Sequence, residues 1–152
     1  TLVHDLKFKD GFEKSKRLHL EHAELLRPET IRKMQDLDVI CHIQPCHWLT
    51  DKTWTDQKLG HLKQHLFRWY DLEIAKVPFD FGSDSPIEPA SISLNAKAIE
   101  DAAKFGIKKT LQEPIQYMQN KNHWVENCST SLDRDYSVLQ TVFTGRVVYE
   151  KQ

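Results

Sequence analysis

Leu18-His19-Leu20-Glu21-His22-Ala23 alternates apolar and polar residues and closes on a histidine. That is the pattern of a half-buried strand whose C-terminal end delivers a metal-binding or proton-carrying side chain. Two stretches further along do the same: Val39-Ile40-Cys41-His42-Ile43-Gln44-Pro45 and Phe79-Asp80-Phe81-Gly82-Ser83-Asp84-Ser85-Pro86. Between the first two, Arg27-Pro28-Glu29 opens a helix, because proline's missing N–H costs nothing in a first turn and glutamate suits the positive end of the macrodipole. Ile31, Met34 and Leu37 then recur at helical spacing. The unit is strand, helix, strand, whose connection is right-handed in nearly all parallel sheets. Three strands that present polar residues at their C-terminal ends look like one wall of a (β/α)-barrel active site, so the fold class is α/β.

Outward from this frame, Pro45 ends the second strand because it cannot donate a ladder hydrogen bond, and a polar loop is expected over residues 46–60. A helix over 61–75 follows, with Leu62, Leu66, Trp69 and Leu72 on its buried stripe, and the third strand is expected over 77–81, stopped by Gly82. Beyond Pro89 two helices are expected, over 94–105 and 110–120, the second opening on the capping-box pattern Thr110-Leu111-Gln112-Glu113. Residues 121–135 read as irregular, and 136–149 as two β-runs around Thr144-Gly145. The organisation is a partial barrel over 1–135 and a β-hairpin over 136–152.

Composition narrows the partners. With 21 basic and 22 acidic residues and no basic run, there is no electrostatic case for nucleic acid or an anionic membrane. No apolar run approaches the roughly 18 residues that a membrane span needs, and no secretory leader opens the chain, so a cytoplasmic protein is expected. Cys41, Cys46 and Cys128 fit neither a zinc ribbon nor a redox pair and read as free thiols. The opening on Thr1, with residues 7–17 resembling the charged tail of a helix, reads as a piece of something longer.

Glu21-His22-Ala23, Gln44-Pro45 with His47 just after, and Gly82-Ser83-Asp84-Ser85-Pro86 resemble, in order, late segments of the amidohydrolase superfamily, in its branch of metal-dependent hydrolases. Arg68-Trp69 and the closing Val142-Phe143-Thr144-Gly145-Arg146-Val147-Val148-Tyr149 add to the likeness. The resemblance covers about residues 17–90 well and is patchy beyond. It implies that the three strands are like the last three of a TIM barrel and that the final β-run belongs to a small β-sandwich. The family's upstream motifs have no counterpart before Arg17. The chain therefore resembles the C-terminal part of such an enzyme.

The resemblance implies that His22 is a metal ligand, for a divalent ion such as Zn²⁺ in the complete enzyme. It likewise implies that Asp84 is the catalytic carboxylate, passing the proton of a metal-activated water to a leaving nitrogen. Without it, a histidine such as His22 is more often a satisfied structural one, and Asp84 reads as a turn residue or a helix N-cap. His47, Gln44 and Glu88 are candidates to touch substrate from the loops. A local zinc site from His42, Cys46 and His47 is disfavoured, since alternation sends strand neighbours to opposite faces. The expected reaction is hydrolysis of a non-peptide C–N bond, in an amide or cyclic amide of a small molecule. One histidine and one aspartate are too few to hold a catalytic metal, so the chain alone is expected to be inactive and metal-free. The alternative is a non-catalytic remnant that persists by oligomerisation, as a homo-oligomer, or by pairing with an upstream chain that supplies the missing strands.

Overall fold

The computed structural model describes residues 18–105, 107 and 127–152, a mixed α/β chain with one parallel and one antiparallel sheet. β1 (Leu18–Glu21), β2 (Val39–Ile43) and β3 (Phe79–Phe81) form the parallel sheet in that order, with Glu21 opposite His42 and His42 opposite Asp80. Parallel neighbours need a crossover, and α1 (Pro28–Asp36) supplies the first. Pro28 and Glu29 sit in its first turn and Lys33 in its last, as the macrodipole favours, while Ile31 and Met34 are buried. The chain then reverses through Asp38 at φ 50°, a left-handed conformation that aspartate tolerates better than most residues.

Alternation separates the two faces of this sheet. Leu18, Leu20, Val39, Cys41, Ile43, Phe79 and Phe81 pack into the core with Ile31, Met34, Trp69 and Leu72. His19, Glu21, His42 and Asp80 lie on the other face, where His19 and Glu21 are exposed.

Between β2 and β3 the chain is more helical than the polar composition of 46–60 suggests. It forms α2 (His47–Asp51) and α3 (Thr55–Leu59). Trp48 explains α2: its buried ring meets Phe67 and Phe105 edge-on, with centroids 5.9 and 5.6 Å away, and its Nε1–H donates to Asp101 at 2.9 Å. The helix expected over 61–75 is split into a 3₁₀ helix (Gly60–His65) and α4 (Trp69–Ile74). The cause is tertiary. His65 C=O accepts the N–H of Leu26 at 2.9 Å, Phe67 donates its N–H to Glu24 C=O at 2.7 Å, and Leu25 and Leu66 form an isolated antiparallel bridge. The apolar stripe survives the break, so periodicity alone could not reveal it.

α5 (Ile92–Lys104) is capped by Ser91, whose hydroxyl accepts the N–H of Leu94 at 3.3 Å. The expected helices over 7–17 and 110–120 lie outside the described residues. The C-terminal sheet has three antiparallel strands rather than a hairpin, because β4 (Ser129–Leu132), within the stretch expected to be irregular, pairs with β5 (Val138–Phe143), which pairs with β6 (Arg146–Glu150). Among the described residues no helix is long and apolar enough to cross a membrane.

Candidate metal centre

His22 stands immediately after β1 at φ 68°, in a tight turn closed by the N–H of Ala23 on the C=O of Glu21 at 2.9 Å. Ala23 (φ 46°) and Asp84 (φ 57°) are also left-handed. Such conformations cost non-glycine residues about 1–3 kcal/mol each and concentrate where a side chain must be aimed. The three lie at the C-terminal ends of β1 and β3, on the same rim of the sheet, with β2 between them.

The loop after β2 brings His47 into this rim. Its ring stacks on that of His22, with centroids 5.6 Å apart and planes 25° apart, and its Nδ1 lies 2.7 Å from Glu24 Oε1. Glu24 Oε1 is in turn 3.9 Å from His22 Nδ1. His22, Glu24 and His47 each present a ligand atom within 4.8 Å of the others, the one such group among the described residues. His47 Nε2 is buried without a hydrogen-bond partner and lies 3.9 Å from Asp84 Oδ2. An orphaned buried nitrogen costs about 1–3 kcal/mol. His47 Nδ1, the nitrogen beside Glu24, is the one that could join His22 and Glu24 on a cation, and Nε2 then faces Asp84.

Two histidines and a glutamate make a recognised donor set for zinc, with a fourth position left for water or substrate. The described residues thus offer three donors where the sequence reading counted one histidine and one aspartate. Burial, then the charge of nearby Glu24, pushes the Asp51 carboxyl above its usual range, with His47 acting in the opposite sense. Burial and then Glu88 push the Cys46 thiol up to about 11, with Asp84 adding to the effect. Cys46 is therefore a protonated packing residue, its Sγ 3.6 Å from Ser83 C=O.

Of the other expected site residues, Gln44 is buried with its Oε1 unpartnered, and Glu88 accepts from Thr50 Oγ1 at 3.3 Å. Neither is drawn into the histidine–glutamate group. Sequence reasoning missed Glu24, whose signal is a carboxylate two positions past a strand-end histidine. It also missed Asn95, a lone amide on the otherwise apolar buried stripe of α5. Asn95 Oδ1 accepts the N–H of Cys46 and its Nδ2 donates to Gly82 C=O, each at 3.0 Å, so one buried side chain ties the loop of His47 to that of Asp84.

No protein-family model matches the chain, and no curated protein matches it. Two solved structures are similar to it. An uncharacterized metal-dependent hydrolase from Pyrococcus horikoshii OT3 is 32% identical with a TM-score of 0.51 over 59% of this chain, and one from Pyrococcus furiosus is 23% identical with a TM-score of 0.49 over 66%. The chain spans 18% and 20% of their lengths.

Proposed function

We propose that this chain forms one edge of a metal-dependent hydrolase site, in which His22, Glu24 and His47 hold a divalent cation and Asp84 carries a proton. The observation that carries the reading is the convergence of one ligand atom each from His22, Glu24 and His47 within 4.8 Å, with the buried Nε2 of His47 facing Asp84 on the other side of the ring. The similarity to a metal-dependent hydrolase over 59% of the chain supports it.

When bound, a divalent cation brings the pKa of water toward about 7 and polarises a carbonyl. The protein's own part follows from the geometry. The contact of Glu24 with Nδ1 orients the His47 ring, Nε2 toward Asp84, before a cation takes the place of the proton between Nδ1 and Glu24. The Asp84 carboxylate takes a proton from water and returns it to a leaving nitrogen, the step that releases an amine from an amide or cyclic amide. Asn95 keeps the two loops at fixed separation. The fold reading that goes with this is a partial TIM barrel comprising its last three strands. Zn²⁺ is the ion that suits the donor set.

The test uses Zn²⁺ with acetohydroxamate, a small chelator that occupies an open metal position beside a carboxylate. Zn²⁺-dependent binding of acetohydroxamate is expected, abolished in His22→Ala and weakened in Asp84→Asn, with no turnover of amides, ureas or cyclic imides by the chain alone. Binding indifferent to Zn²⁺ or to His22 would refute the reading.

A second reading, association with another copy, is favoured by the exposure of Phe143, Val147, Val148 and Tyr149 on the C-terminal sheet and by β1 and β3 as outer strands of the parallel one. Light scattering separates the two, since a monodisperse monomer argues against it.

A further inference from the structure

A cavity of about 640 Å³ lies beside the 3₁₀ helix and the start of α4, and none of His22, Glu24, His47 and Asp84 lines it. Its volume is within the roughly 300–1,000 Å³ of small-molecule sites. The apolar side of its wall joins the buried ring of Phe67 to Tyr70 and to Phe105, which is 56% exposed. Trp48 meets Phe105 edge-on at 5.6 Å and holds that exposed ring in place. The polar side of the wall includes Lys63, Arg68 and Asp71. Lys63 is engaged by Asp56 at 2.5 Å. Arg68 is different: its side chain is only 20% exposed, and its Nε donates to Asp71 Oδ2. That contact fixes the plane of the guanidinium. Nη1 and Nη2, which carry four of its five N–H donors, have no acceptor among the described residues.

We propose that this cavity binds a small aromatic carboxylate, whose two oxygens take N–H groups from Nη1 and Nη2 of Arg68 while its ring lies against Phe67, Tyr70 and Phe105. Asp71 is the positioning residue that sets the guanidinium plane. The parallel N–H groups of the fork match the two oxygens of a carboxylate, a geometry that an ammonium lacks. Because Asp71 already offsets the charge of Arg68, recognition depends on hydrogen-bond fit more than on net attraction, and the partly buried setting strengthens those bonds relative to water. The rings select the body of the ligand, since a bare anion would leave Phe105 in water. A neutral amide offers one acceptor oxygen in place of two and brings N–H donors against a fork that can only donate.

Titration of the full chain with 2-naphthoate in the presence of EDTA, read by ligand fluorescence and by nitrogen-15 amide shifts, tests this. Saturable binding of one equivalent is expected, with the shifts clustered around Phe67, Tyr70 and Phe105. The neutral analogue 2-naphthamide and the ring-free anion acetate should each bind at least about 10-fold more weakly. Arg68→Gln should weaken 2-naphthoate by about 10–100-fold, the worth of hydrogen bonds to a charged group. Arg68→Lys keeps the charge without the fork and should not restore it. Arg68 also pairs with Asp71, so Phe105→Ala, at an exposed position, is the second variant, and it should weaken 2-naphthoate with that pair intact. No saturable binding by the native chain overturns the proposal, as does equal affinity for 2-naphthamide or an affinity unchanged in Arg68→Gln and Phe105→Ala. Binding that appears only with Zn²⁺ and is lost in His22→Ala puts the carboxylate on the metal-binding group and sinks this site alone. A chain that takes 2-naphthoate in EDTA but no Zn²⁺ keeps this site and sinks the other.

Discussion

At the scale of single residues, burial decides which thiols react. Burial, with a lesser contribution from Asp80, pushes Cys41 up to about 11, and Cys46 reaches the same value through burial and Glu88. At pH 8 each is then about one part in a thousand thiolate, and the thiolate is the nucleophile. Cys128 is exposed. Brief treatment of the folded chain with iodoacetamide at pH 8 should alkylate Cys128 alone by mass spectrometry, and all three after unfolding. Early modification of Cys46 would contradict the packing. Asn95 gives a second test. Asn95→Ala strands the N–H of Cys46 and the C=O of Gly82, and a loss of about 1–3 kcal/mol in urea unfolding is expected, with weaker Zn²⁺ binding as the loops separate. That His22 and Asp84 follow strand ends was legible because apolar runs and a Gly-Ser turn announce those ends. The partnership of Glu24 with His47 was not, because it joins positions 23 residues apart. The cross-links from Asn95 span 49 and 13 residues and leave no periodic trace.

At the scale of elements, local rules performed where an element's neighbours agree with its pattern. β2 and α1 lie where alternation, proline and charge placement put them. The helix over 61–75 broke because backbone groups of Glu24 and Leu26 claim those of Phe67 and His65, a contact that sequence periodicity does not encode. The same break braces the segment that presents Glu24. The link from β4 to β5 depends on Asp133, whose Oδ1 accepts the N–H groups of Asp135 and Ser137, both at 2.9 Å. These bonds, Ser137 foremost and aided by Lys151, hold its carboxyl below the usual 3.8. A depressed carboxyl contributes stability that is present above pH 3.8 and is lost as pH falls through its folded value. The protection factors of amides in β4 and β5, relative to their intrinsic exchange, should therefore fall in acid, and Asp133→Ala should lower them likewise at pH 7. Equal protection in the variant would contradict the role of the turn.

At the scale of the molecule, the chain assembles carboxylates of Glu24, Asp51, Asp84 and Glu88 around His47 and Cys46, a concentration of negative charge that a cation would relieve. Any ligand that binds only the folded chain stabilises it, by about 2.7 kcal/mol at a hundredfold excess over Kd. Zn²⁺ should accordingly raise the unfolding temperature, and His47→Ala should abolish the rise. The class α/β was legible from the spacing of three strand-like runs, while the candidate metal-binding group emerged only when the fold brought two of their following loops together. The most direct test is calorimetric titration of Zn²⁺ into the native chain and into His22→Ala, Glu24→Gln and His47→Ala. The account predicts one equivalent bound by the native chain and a large loss of affinity in all three variants. A native chain that takes up no Zn²⁺, or variants that bind it as the native chain does, would contradict it.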